Sequence, residues 1–326
     1  MTNRRIFVAQ TTAALATLML GHSTGAQANW PDRTVRLISP YGAGGSNDIS
    51  ARIVAGELSR RLGQQFIVEN KPGAGTRVAN ELVARAVPDG NTLLYAAAPY
   101  ATAETLYGKL SYDPRKDLRA VSLAVKGPLF LIVNASSPFK TTADLVAYGK
   151  SKPEGLTFAS PGSGSGPHLA AELLFKEAGV KGLNVQFRGD ATAYTELLAG
   201  RVDATMTAIT SALPHIVAGK LRVLGVASEQ RSPIYASAPT LREQGFAKVV
   251  GYGWFGFMVP AATPQHIVDR LSDEVKIILA DATVHQKLAG LGLQVQGSSP
   301  AEFAAFIEQE TARWSEVIRI TGIKGE

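Results

Sequence analysis

Residues 35–58 read VRLISPYGAGGSNDISARIVAGEL, and residues 156–179 read LTFASPGSGSGPHLAAELLFKEAG. In both, a short apolar run enters a turn of small residues and leaves as an amphipathic helix. Backbone N–H groups at such a helix start have no intrahelical partner, and the helix dipole adds a partial positive charge, so the turn is a seat for an anion. Gly42, Ala43, Gly44, Gly45, Ser46 and Asn47 form the first turn, with Asp48 opening its helix. Ser160, Gly162, Ser163, Gly164 and Ser165 form the second, with His168 one turn into the next helix. Two seats in one chain predict two lobes, each lending an anion-binding edge to a cleft that grips a small carboxylate or oxyanion.

Every candidate also has a structural reading. Gly44 and Gly45 either approach a ligand through the backbone or simply permit left-handed geometry and close packing. Asp48 suits a helix N-terminus without any ligand. Ser160, Ser163 and Ser165 serve as helix caps or as an anion nest. His168 fits a hydrogen-bonded structural role better than a ligand-binding one. Arg188 and Asp190 flank Gly189 directly after a strand, where Arg188 pairs either a substrate carboxylate or a neighbouring acid. Tyr41, Pro99 and Tyr100 line the cleft or pack, and Asp203 fixes the turn at Gly200.

Other chemistries lack their residues. Residues 162–166 (GSGSG) do not match a G-x-S-x-G elbow, since Pro161 or Ser163 stands where the first glycine belongs. Asn47 occupies the place of the third glycine of a dinucleotide loop, and no Gly-Lys-Ser/Thr is present. The five histidines are scattered without metal spacing, and there is no cysteine for a disulfide, thiolate site or nucleophile. No cofactor is implied.

The elements that must position these residues alternate. Strand-like runs fall at 35–39, 66–69, 92–97, 129–133, 157–159, 185–187, 204–208, 223–227 and 254–259. Helical patterns lie at 48–62, 78–86, 142–151, 167–178, 191–199 and 212–218, with three more at 264–280, 282–291 and 300–320. This rhythm predicts an α/β protein of mainly parallel sheets flanked by helices. Its helical tail predicts a return to the first lobe. Ligands of open α/β sheets bind at the carboxyl ends of strands, where both Gly/Ser turns sit.

The first residues read as a signal peptide: Arg4 and Arg5, a modest apolar run, and Ala26-Gln27-Ala28 as the cleavage site, giving residues 1–28. The twin arginine followed by Ile6 also resembles a Tat signal. Without Arg4 and Arg5, 31 Lys and Arg face 27 Asp and Glu, a net +4. The positives are dispersed, with no basic stripe for nucleic acid.

The ordered series Trp30-Pro31, residues 40–48 (PYGAGGSND), residues 68–75 (VENKPGAG), residues 88–94 (PDGNTLL), Tyr112-Asp113-Pro114, residues 158–164 (FASPGSG), residues 200–203 (GRVD), residues 218–222 (AGKLR) and residues 238–240 (APT) resembles the tripartite tricarboxylate transporter substrate-receptor family, also called the Bug family. The resemblance covers the whole mature chain. It implies a two-lobe periplasmic-binding-protein type II fold, with lobe one at 29–125 plus 233–326, lobe two at 126–232, and the ligand cleft between them. It also implies a small organic acid as ligand, delivery to an inner-membrane permease and a periplasmic location; a monomer is the default expectation. Where members often carry Tyr-Lys-Gly, this chain has Phe187-Arg188-Gly189. The planar guanidinium fork suits a carboxylate. A ligand-presenting sensor partner and a periplasmic hydrolase are the alternative functions.

Overall fold

The computed structural model describes residues 30–325; the signal segment expected at residues 1–28 lies outside the described residues. Strands β1 (Val35–Ser39), β2 (Phe66–Asn70) and β3 (Thr92–Ala97) alternate with helices α1 (Ser46–Leu62), α2 (Arg77–Ala84) and α3 (Pro99–Tyr107). A long strand, β4 (Leu118–Asn134), leads into α4 (Thr142–Ser151), β5 (Leu156–Ser160), α5 (Gly166–Ala178), β6 (Gly182–Gln186), α6 (Asp190–Leu198) and β7 (Ala204–Ala208). The remainder is α7 (Leu213–Val217), β8 (Leu221–Ala227), β9 (Tyr252–Pro260), α8 (Gln265–Ala280), α9 (Ala282–Ala289), β10 (Gln294–Val295) and α10 (Pro300–Thr321).

The strands run in the order β2-β1-β3-β9-β4-β7-β5-β6, with β8 and β10 also pairing β4. The outer trios are parallel: β2-β1-β3 on one side and β7-β5-β6 on the other. Antiparallel pairing of β3 with β9, and of β4 with β9, β7 and β8, joins them. Strand β4 belongs to both halves. Up to Pro128 it pairs β9, and from Leu129 to Asn134 it pairs β7 and β8. The sequence predicts only 129–133 as strand, whereas the observed strand runs on through Gly127-Pro128. The strand tolerates proline here because the ladder changes partner at this point, and a missing N–H costs least where pairing is handed over.

Each half buries its own apolar faces. Leu37, Tyr95, Phe257 and Val268 anchor a core on one face of the first sheet, with Ile38, Trp254 and Phe303 on the other. Leu131, Phe158, Leu174 and Phe175 form the corresponding core of the second half, backed by Phe130, Ile132 and Tyr194. At about 1.5–3 kcal/mol for each fully buried large apolar side chain, these clusters supply the stability that a chain without disulfides needs. Leu241 and Val249 pack in the second core, and Leu241 N donates to Val226 O at 2.8 Å. The tail helix touches both halves: Phe303 belongs to a first-half core, and Trp314, Val317 and Ile318 to the second.

Candidate functional site

The turn after β1 is held from within. Ser39 Oγ donates to Asn47 Oδ1 at 2.7 Å, and Asn47 Nδ2 donates to Tyr95 O at 3.2 Å. Asp48 accepts from Gly44 N at 3.0 Å and from Asn70 Nδ2 at 3.0 Å, and pairs with Arg52 at 2.9 Å. Burial alone would raise the Asp48 carboxyl, but the donors from Arg52, Gly44 and Asn70 outweigh it and hold it below the usual range. Asn47 and Asp48 therefore spend their polar atoms on shaping the turn. Ala43 and Gly44 stand exposed at its tip.

The turn after β5 behaves similarly. Ser165 caps α5: its Oγ accepts from His168 N at 3.2 Å and donates to Gly162 O at 2.7 Å. His168 is buried, stacks on Phe158, and its Nδ1 accepts from Gly164 N at 3.1 Å. Serine and histidine thus bond to backbone rather than to each other as nucleophile and base. Ser160 Oγ accepts from Gly162 N at 3.4 Å. Ser163 N donates to Gln186 Oε1 at 2.9 Å, and its buried Oγ has no hydrogen-bond partner among the described residues. Thr102 Oγ1, from the first half, donates to Gly164 O at 3.1 Å.

The turn after β6 closes the arrangement. Gly42 N donates to Arg188 O at 2.7 Å across the cleft. A Cβ at Gly189 would stand 3.2 Å from Gly42 N, and Gly189 has φ near 150°, a value side chains disfavour. Glycine is what lets the two turns touch. Asp190, at the start of α6, reaches over to the first helix: its Oδ2 accepts from Ser46 N and Ser46 Oγ, each at 3.3 Å, while Oδ1 accepts from Thr207 Oγ1 at 3.2 Å. A Cβ at Gly45 would lie 3.5 Å from the same Oδ2. Burial pushes the Asp190 carboxyl above its usual range, against these donors. Burial, and then the Asp190 charge, also raises the Tyr41 phenol.

These turns surround a cavity of about 280 Å³. Tyr41, Gly162 and Arg188 line it, with a stretch the sequence reading did not select, residues 72–76. Gly73, Ala74, Gly75 and Thr76 all have positive φ, and for a β-branched threonine at 74° that is a strained state. Thr76 Oγ1 accepts from Asn80 Nδ2 at 3.3 Å, which helps hold it there. The available signal was a third strand–glycine-turn–helix pattern, Pro72-Gly73-Ala74-Gly75 following β2. The Arg188 side chain is exposed at the cavity, with no ion pair or hydrogen bond among the described residues. Pro99 is buried at the first turn of α3, while its neighbour Ala98 lines a recess beside the cavity. Tyr100 points elsewhere and donates through its hydroxyl to Pro114 O. Asp203 accepts from Thr157 N at 2.9 Å and Oγ1 at 2.8 Å, tying β7 to β5.

A larger hollow of about 500 Å³ lies between α3 and α10, away from the strand ends, and its Arg115 and Glu104 already pair at 2.9 Å. Four turns from both halves and a free guanidinium distinguish the smaller cavity from this hollow. Among the described residues, no group of three His, Cys, Asp or Glu is placed to hold a metal, and no helix is long and apolar enough to cross a membrane.

Two α/β lobes meeting at a turn-lined cleft define the class: this is a solute-binding protein of the periplasmic two-lobe type. A family model described as the tripartite tricarboxylate transporter family receptor matches residues 50–323, and the chain belongs to that family. BugT of Bordetella pertussis is 32% identical over 297 residues, spanning 90% of this chain and 91% of BugT. MatC from Rhodopseudomonas palustris, solved with bound malate, matches with a TM-score of 0.85 at 32% identity, covering 89% of this chain and 100% of MatC. Rpa4515 of the same organism, solved with adipate, matches with a TM-score of 0.88 at 32% identity, covering 90% and 99%.

Proposed function

We propose that the protein captures a small organic acid in the periplasm, closes its lobes around it, and delivers it as a monomer to an inner-membrane permease of the tripartite tricarboxylate type. The observation that carries this reading is the unpaired Arg188 guanidinium at a cavity built by turns of both lobes. A guanidinium presents two parallel donors to a carboxylate, and the backbone turns add fixed dipoles that need no reorganisation. The malate and adipate bound by the two solved relatives are carboxylates of fitting size.

The lobes we propose comprise residues 30–127 with 252–325, and residues 128–251, which moves 233–251 from lobe one, where the sequence reading put them, to lobe two because Leu241 and Val249 pack in its core. The hinge then runs through Gly127-Pro128 and Gly251-Tyr252, where Leu129 N donates to Gly251 O at 3.1 Å and Gly251 N to Ala227 O at 2.8 Å. Closure brings Arg188 and Asp190 of one lobe onto Gly42 and Ser46 of the other.

Isothermal titration calorimetry tests the reading, using mature protein unfolded and refolded to strip any carried ligand. Micromolar or tighter binding to a member of a carboxylate panel is expected. A folded protein that gives no heat with any carboxylate sinks it. Deleting the gene should also abolish uptake of the bound acid; intact uptake would favour a sensor role instead.

A further inference from the structure

Asp190 presents a problem of charge. Its carboxylate lies between the lobes at the N-terminus of α1, the position an external anion would take in the first turn. Three donors reach it: Ser46 N, Ser46 Oγ and Thr207 Oγ1. Tyr194 Oη donates to Thr207 Oγ1 at 3.1 Å and so helps fix the orientation of that hydroxyl. No Lys, Arg or His among the described residues pairs with the carboxylate, so its charge meets only neutral donors. A carboxylate accepts about four hydrogen bonds, which leaves one position open.

Asp190 also lines a recess of about 30 Å³, with Tyr41, Ser46 and Thr207. Tyr41 and Pro161 line both this recess and the 280 Å³ cavity, so the two are adjacent. The recess has room for one or two water-sized groups. A ligand whose carboxylate engages Arg188 therefore directs its far end past Tyr41 toward Asp190. A second carboxylate arriving there would meet a like charge in a poorly solvated site, where two ionised acids repel strongly. An ammonium or hydroxyl would instead fill the open acceptor position.

We propose that Asp190 sets the ligand class: the cleft takes a monocarboxylate ending in a single hydrogen-bond-donating group, an ammonium or a hydroxyl, and turns away dicarboxylates. The protein's own acid occupies the first anion seat. This inference rests on the carboxylate-binding reading above and narrows it.

The test compares chain-length-matched acids of three to six carbons by calorimetry: the dicarboxylate, including malate and adipate, against the ω-amino and ω-hydroxy monocarboxylates. In the unaltered protein, the best donor-ended monocarboxylate should bind at least about tenfold tighter than any dicarboxylate. Asp190→Ser frees the helix N-terminus, and Asp190→Asn removes the charge at constant shape. Both should narrow or invert that preference, with folding confirmed by thermal melts. A dicarboxylate binding the unaltered protein as tightly as its matched monocarboxylates, with the ratio unmoved by either variant, overturns the inference while leaving the carboxylate reading intact. Silence from every acid, in the folded protein and both variants, removes both.

Discussion

At Arg188 the chain holds a guanidinium open to the cavity, and at Gly189 it gives up a side chain so that two turns can meet. The first feature predicts chemistry. Arg188→Ala should raise the Kd for a bound carboxylate about ten- to a hundredfold, the loss expected for a charge-assisted hydrogen bond, while leaving the melting temperature nearly unchanged. An unaltered Kd would place the ligand elsewhere. The second feature predicts geometry. Gly189→Ala puts a Cβ 3.2 Å from Gly42 N at a φ near 150°, so it should cost about 1–3 kcal/mol of stability and weaken binding as well. Denaturant unfolding and calorimetry read the two losses separately; a variant normal in both would show that the turns need not touch. Residue types alone singled out the turns after β1, β5 and β6 and Arg188 as candidates. They did not decide which polar atoms were spent internally, because that depends on how the folded turn aims its groups: Asn70, from the next strand, and Arg52, one helical turn on, for Asp48, and the turn's own Gly164 N for His168.

Among the elements, the strand–turn–helix units were the most legible. Strands β1, β3 and β7 and helix α4 fall where the apolar runs and the helical pattern put them, and the structure adds a capping box of Thr141 and Asp144 at the start of α4. Helix α3 was missed: its sequence, PYATAETLY, has little amphipathic contrast, and it packs against α10. The cap at α5 separates two roles for Ser165. As a cap, its loss in Ser165→Ala should cost about 1 kcal/mol, or roughly 2–4 °C in melting temperature for a chain this size, with ligand affinity changed less than about threefold. A tenfold weaker Kd at unchanged melting temperature would make Ser165 a ligand donor instead.

For the whole molecule, α10 packs into cores of both halves. Glu310 accepts from Trp254 Nε1 of β9 at 3.2 Å and from Trp314 Nε1, within the second core, at 2.8 Å. Burial raises this carboxyl above its ordinary value despite both indoles and Arg313. The folded state therefore keeps its proton to higher pH than the unfolded chain does. The Glu310 contribution is fullest below the ordinary glutamate range and is lost as pH rises through the folded value. Glu310→Gln does not titrate. Its melting temperature, relative to the unaltered protein, should thus become more favourable by a few degrees between about pH 4 and pH 7. A difference that is flat, or that grows in the opposite sense, would contradict the assignment. At this scale the division of labour is plain. Sequence by itself determined the α/β class, the family, the turns at the strand ends and the absence of any cysteine, because these follow from local periodicity, glycine placement and composition. Only the tertiary structure decided that β4 serves both halves, that residues 72–76 join the cavity, and that Asp190 rests on the helix start of the opposite lobe. Those facts depend on contacts between residues as far as 144 positions apart, which no local pattern encodes.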